Sequence, residues 1–246
     1  MIRINISYIM PGLGTIVNVI AIAAAGIIGC LAGERIAPRF QDTLMKATAI
    51  AVLFLGLGGT MAQMLTFKHG SFSTQGTMML IGSLAIGGLI GEWLRIEDRF
   101  ADFGEWLKKK TGNANDQEFI EAFVTASLTV CIGAMAIVGS IEDGILGDHS
   151  ILFAKAILDF VIVLVMAASM GRGCGFAAVP VGILQGTVTL FSELLKPLMT
   201  TAVMNNISYI GSVLIFCVGI NLLWGNKIRV ANLLPALVIG AVWVVF

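Results

Sequence analysis

Stretches of about 20 largely apolar residues recur along this chain, and no other feature constrains its fold as strongly. At 1.5 Å of rise per helical residue, one such stretch matches the roughly 30 Å hydrocarbon core of a bilayer. A water-soluble core has no use for so many of them. Of 246 residues, 57% are hydrophobic and 12% charged, with a mean hydropathy of +0.94. Soluble domains carry about 25% charge. The expected fold is all-α, a polytopic membrane protein forming a single transmembrane domain over 1–246.

Charge clusters and Gly/Pro punctuation divide the chain into about eight spans, near 12–33, 44–65, 75–94, 119–141, 151–171, 175–195, 207–224 and 230–246. The segment 175–195 contains Val179-Pro180-Val181-Gly182, so seven spans plus one re-entrant element is the alternative. With eight spans, Arg35, Arg39, Lys46, Arg95, Arg99, Lys108, Lys109, Lys110, Arg172, Lys227 and Arg229 share one side, which is 11 of the 15 basic residues. Arg3, Lys68, Lys155 and Lys196 fall on the other. The positive-inside rule then assigns the 11 to the cytoplasm of a bacterial inner membrane and both termini to the outside. No small-residue cleavage site precedes the first apolar run, so that run is expected to stay as a helix.

Two linkers are amphipathic. Trp93, Ile96, Phe100, Phe103 and Leu107 follow helical spacing with charges on the opposite face, as do Ile36, Phe40 and Leu44 around Glu34, Arg35, Arg39 and Asp42. Both read as helices lying on the membrane surface. The order Gly14-Thr15, Gly26, Gly29, Glu34, Arg39-Phe40 is echoed by Gly76-Thr77, Gly88, Gly91, Glu92, Arg99-Phe100. This suggests repeat units 12–65 and 75–141, with 151–246 as the remaining helices. Within the echo, Gly29 and Gly33, and Gly87 and Gly91, form small-xxx-small pairs expected to serve helix packing.

Zero net charge and a single short basic run, Lys108-Lys109-Lys110, argue against nucleic acid as a partner. The cysteines Cys30, Cys131, Cys174 and Cys217 are dispersed in or beside apolar segments and read as free thiols. Both histidines, His69 and His149, fall in expected outer loops, and no zinc-protease, nucleophile-elbow or P-loop spacing occurs. No cofactor, no metal and no enzymatic activity are expected. The acidic stretch Glu142-Asp143-Gly144 to Asp148-His149 reads as a solvated turn, and Gly171-Arg172-Gly173-Cys174-Gly175 as a tight reversal.

The residues most costly to bury are therefore the informative ones. A charge at the centre of a membrane helix costs roughly 2.5–3.5 kcal/mol on the insertion scale. Lys155 and Asp159 lie four apart on one helical face and are expected to pair. Gln185, Asn18 and Asn221 lie in other spans and complete a candidate substrate or ion site. A secondary transporter for a small polar solute, an amino acid or organic acid, would use such a site with proton or sodium coupling. A passive channel, or a membrane scaffold or sensor, are the rival readings. Lipid is the expected surround, and a homo-oligomer is compatible with the sequence.

The opening Gly14-Thr15-Ile16-Val17-Asn18, the run from Cys131 to Gly144, Lys155-Ala156-Ile157-Leu158-Asp159, Leu184-Gln185-Gly186 and the run from Ile228 to Ala236 resemble an uncharacterised bacterial membrane protein family, a domain of unknown function that includes the YqgA and YdfK proteins. The resemblance covers nearly the whole chain. It implies a bacterial inner-membrane protein and gives Lys155, Asp159 and Gln185 weight as motif positions. It brings no biochemical activity with it.

Overall fold

A computed structural model describes residues 10–33, 35–68, 71–112, 116 and 118–245. Arg3, Glu34 and His69 lie outside the described residues. The elements are α1 (Leu13–Gly33), α2 (Pro38–Met64), an antiparallel hairpin of β1 (Leu65–Lys68) and β2 (Ser71–Thr74), α3 (Thr77–Leu94), α4 (Ile96–Lys110), α5 (Phe119–Cys131), α6 (Ala134–Leu146), α7 (Ser150–Met170), a 3-10 segment Arg172–Ala177, α8 (Ala178–Leu190), α9 (Ser192–Leu195), α10 (Thr201–Trp224), a 3-10 turn Val230–Leu233 and α11 (Pro235–Val242).

The protein is a polytopic all-α membrane protein. Among the described residues, α1, α2, α3, α7, α10 and the segment Arg172–Leu190 are each long and apolar enough to cross a bilayer. Helices α5 and α6 meet at a 61° bend and together are long and apolar enough for a broken seventh span or a re-entrant loop. The apolar segment Val230–Val242 is shorter, about 20 Å at helical rise. One expectation is corrected here, and one alternative is set aside. The stretch 119–141 is not one straight helix but breaks at Ile132-Gly133, where Gly133 takes φ +146°, a conformation that L side chains rarely adopt. The stretch 175–195, in contrast, does not break at Pro180. That residue sits in the first turn of α8, where the backbone N–H it lacks would have had no helical partner.

Bilayer solvation turns the usual inside-out pattern around. On α1 the residues facing outward are Ile16, Ile20, Ile27 and Leu31, whereas Thr15, Asn18, Ala25, Gly26, Gly29 and Gly33 face inward. Small residues let backbones approach where lipid removes the hydrophobic drive between helices. A Cβ on Gly29 would lie 2.4 Å from Leu164 O of α7, and one on Gly33 2.5 Å from Ala168 O. On α3, a Cβ on Gly87 would lie 2.4 Å from the Ala236 backbone, and one on Gly91 1.8 Å from the Asn232 carbonyl oxygen. All four glycines therefore serve close packing.

Helix α1 packs on α7 and α8, α2 on α10, and α3 on α11 with its preceding turn. These contacts make two apolar cores. Ile22, Ala25, Val163, Met166, Ala177 and Val181 belong to one, and Val52, Met79, Ile210, Leu214 and Ala236 to the other. Helix α5 feeds both, with Ala122, Ala126 and Val130 on one face and Leu128 and Ile132 on the other. The amphipathic helix α4 carries Glu97 and Asp98 in its first turn and Lys108, Lys109 and Lys110 in its last, both favourable to the helix dipole. Its apolar face is not left to lipid: Phe100 and Phe103 pack on Phe123 of α5, and Leu107 is buried beside them. The Gly-rich reversal is likewise a packed 3-10 segment, with Gly173 against Phe119 O and Gly175 against Gly26.

Candidate substrate and ion site

Helix α5 ends early, so the Val130 carbonyl, which a continuing helix would pair with the N–H four residues on, needs another donor. Lys155 of α7 supplies it, with Nζ 2.8 Å from Val130 O. The same ammonium lies 2.9 Å from the Asp159 carboxylate, one turn along α7. Asn18 of α1 donates through Nδ2 to Asp159 Oδ2 at 3.0 Å and approaches Gln185 Oε1 of α8 at 3.4 Å. Asn18 and Gln185 are fully buried, and Lys155 and Asp159 nearly so. Four membrane-spanning elements thus converge on one buried ion pair. The broken span contributes both a free carbonyl and the negative end of a half-helix dipole, which favour a cation at that point.

Asn221 does not join this group. Its Oδ1 accepts from the backbone N–H groups of Lys227 and Ile228, and its Nδ2 donates to Ile228 O, so it holds the turn after α10 in shape. It also lines a cavity of about 740 Å³ between α4, α5 and α10, with Glu97, Glu121, Thr125, Leu128 and Arg229.

Asp143 and His149 join the polar interior although the sequence places them in a solvated turn. Helix α6 continues through Leu146, and Asp143 is wholly buried. Its carboxylate accepts from the backbone N–H groups of Gly12 (3.2 Å) and Thr15 (3.4 Å), capping α1 from another helix, and is paired with His149 Nδ1. A carboxylate at a helix N-terminus meets both unpaired donors and the positive dipole end. The contradictory signal in the sequence is that Asp143 follows Ala136, Gly139 and Ser140 at helical spacing, a face on which Ala136 and Ser140 are buried.

Residues 13–245 match the pattern of a family described as a protein of unknown function, DUF554. The chain belongs to this family. It is similar to the uncharacterised membrane protein YdfK of Bacillus subtilis (strain 168), at 32% identity over 93% of this chain and 94% of that one. It is similar also to the uncharacterised protein YqgA of Escherichia coli (strain K12), at 26% identity over 93% and 94%. No protein of known structure matches it. Asn18, Val130, Lys155, Asp159 and Gln185 all fall within the segment that the DUF554 pattern covers.

In this DUF554 chain the end of the bundle opposite Asp143 is held by a polar cluster. Asn232 accepts from the Glu97 N–H at 2.8 Å and donates to Glu92 at 2.7 Å, while Arg229 pairs with Glu92 at 2.9 Å. Burial raises the Glu97 carboxyl above its ordinary value of 4.5, against hydrogen bonds from Asn226 and the Ala231 N–H and the Arg229 charge, which lower it. The folded state therefore holds the proton more tightly than the unfolded chain. Stability from this group is present below the unfolded value and is lost as pH rises through the folded one. Measured by melting in detergent, Glu97→Gln should gain on wild type as pH rises from about 4 to about 7. A difference that does not change with pH would remove Glu97 from the linkage.

Proposed function

We propose that this protein is a gradient-driven carrier of a small polar solute, an amino acid or organic acid, in the bacterial inner membrane, with no enzymatic activity and, counting the short Val230–Val242 segment as an eighth crossing, with both termini outside. The observation that carries the reading is the broken α5–α6 span, which lends the Val130 carbonyl to a buried Lys155–Asp159 pair. Interrupted helices with free carbonyls at bilayer depth are how secondary transporters build ion and substrate sites, and non-helical backbone at that depth persists only where protein or a wet cavity satisfies it. In this reading Asp159 couples transport to a proton or sodium ion, Lys155 is its charge partner, and Asn18 and Gln185 contact the solute. Orientation rests on the 11 basic residues assigned to one side.

The test is uptake of candidate amino and organic acids into proteoliposomes under an imposed pH or sodium gradient. Asp159→Asn, and the double variant Lys155→Met with Asp159→Asn, should reconstitute as folded protein and lose gradient-driven uptake. Preloaded solute should accelerate exchange in wild type, as a carrier requires and a pore does not. Uptake by the double variant equal to wild type would return the pair to a purely architectural role.

A further inference from the structure

Two polar atoms of the site have no partner although both are fully buried, Asn18 Oδ1 and Gln185 Nε2. One accepts and the other donates, and they belong to side chains already in contact. A buried acceptor and a buried donor without partners, on two side chains in contact, are groups that a small polar occupant such as water satisfies.

Polar groups continue from that place toward one end of the bundle. One turn from Asn18 along α1 is Thr15, and one turn from Gln185 along α8 is Thr189, with their hydroxyl oxygens 3.5 Å apart. The Thr15 N–H reaches Asp143, which is paired with His149, and Asp148 lies beside that histidine on the surface. Here α1 presents backbone N–H groups and a hydroxyl, α8 a hydroxyl, and α6 and the following turn the titratable groups.

Toward the other end the described residues between these helices are largely apolar. Ile22, Ala25, Val163, Met166, Ala167, Ala178 and Val181 are buried against one another. Beyond them a Cβ on Gly26 would lie 2.2 Å from the Gly175 backbone. On α5, Thr129 is buried with its hydroxyl donated to Thr125 O, and Ser127 is buried with its oxygen without a partner.

We infer that Asp143–His149, Thr15–Thr189 and the Asn18–Gln185 amides form a hydrated, one-sided path by which protons reach Asp159 from the end of the bundle that carries α1's N-terminus. Its purpose rests on the coupling role proposed for Asp159, but its existence can be read independently. Single cysteines replace Thr15 and Thr189 on the path, and Ala25 and Ser127 on the closed side. Ser150→Cys and Lys109→Cys mark the two membrane faces. Vesicles of each orientation are exposed to a small cationic methanethiosulfonate, with mass spectrometry reading every cysteine separately, so that Cys30, Cys131, Cys174 and Cys217 stay in place.

Thr15→Cys and Thr189→Cys should react roughly tenfold or more faster from the Ser150 face than from the Lys109 face, because thiol reactivity follows exposure to water. Ala25→Cys and Ser127→Cys should stay slow from both. Should Thr15→Cys fail to fold, Thr189→Cys carries the same comparison. Labelling of Ser127→Cys from the Lys109 face faster than Thr189→Cys from the Ser150 face would overturn the path, as would Thr189→Cys inert from both. One-sided labelling combined with normal uptake by Asp159→Asn would leave the path standing and remove the coupling role, whereas the reverse pair of results would do the opposite.

Discussion

Lys155→Met alone should be the most damaging single substitution within the bilayer interior, lowering stability by about 3–5 kcal/mol, the usual cost of breaking a buried ion pair from one side. It strands the Asp159 carboxylate with Asn18 as its remaining donor and leaves the Val130 carbonyl without one. An unpaired buried carbonyl costs about 1–3 kcal/mol by itself. Adding Asp159→Asn removes the stranded charge, so the double variant should recover at least about 2 kcal/mol of the loss while the unpaired Val130 carbonyl keeps it below wild type. Unfolding in mixed micelles by a denaturant series measures all three proteins. A double variant no more stable than Lys155→Met would show that charge compensation is not what holds α5, α7 and α1 together.

Gly91→Ala should be the second large effect, at or above the roughly 1–3 kcal/mol that overpacking usually costs. The added methyl would lie 1.8 Å from the Asn232 carbonyl oxygen, and that atom is backbone, so α3 and the Val230–Leu233 turn must separate. Separation also loosens the Asn232 bonds to Glu92 and to the Glu97 N–H. Gly58→Ala on α2 is the control, since its Cβ would find nothing within 4 Å. It should gain about 0.5–1 kcal/mol from the better helix former. Equal tolerance of the two substitutions would contradict the α3 contact.

The heart of the site was legible because burial cost singles out a few residues in an apolar chain. Lys155 and Asp159 announce themselves by their charge and their four-residue spacing, and Asn18 and Gln185 are polar at the depth where that pair needs donors. Asn221 illustrates the limit. An amide one turn from a helix end looks the same whether it lines a cavity or ties down the next turn, and only the path of Gly225–Ile228 decides. Asp143 was hidden for a different reason. Glu142, Gly144, Gly147 and Asp148 give its neighbourhood the composition of a loop, and its real partners, the Gly12 and Thr15 N–H groups, are about 130 residues away in sequence. The bend at Gly133 also lacked a local mark: proline is the usual breaker, yet Pro180 falls where a helix tolerates it, and Gly133 stands among many glycines that serve only packing.

The pairing of α1 with α7, α2 with α10 and α3 with α11 has a consequence for biosynthesis. Each of the first three membrane helices leaves the ribosome long before the helix it finally packs against. They must wait in lipid with their glycine faces uncovered, which apolar, uncharged faces such as those of α1 and α3 can do at little cost. The residues that cannot wait come late. Lys155 and Asp159 are translated when α1, carrying Asn18, and α5, carrying the Val130 carbonyl, are already in the membrane, so the charged helix is delivered to receptors that precede it. A chain cut after α6 would lack that helix as well as every C-terminal partner, leaving glycine seams open for membrane quality-control proteases to recognise.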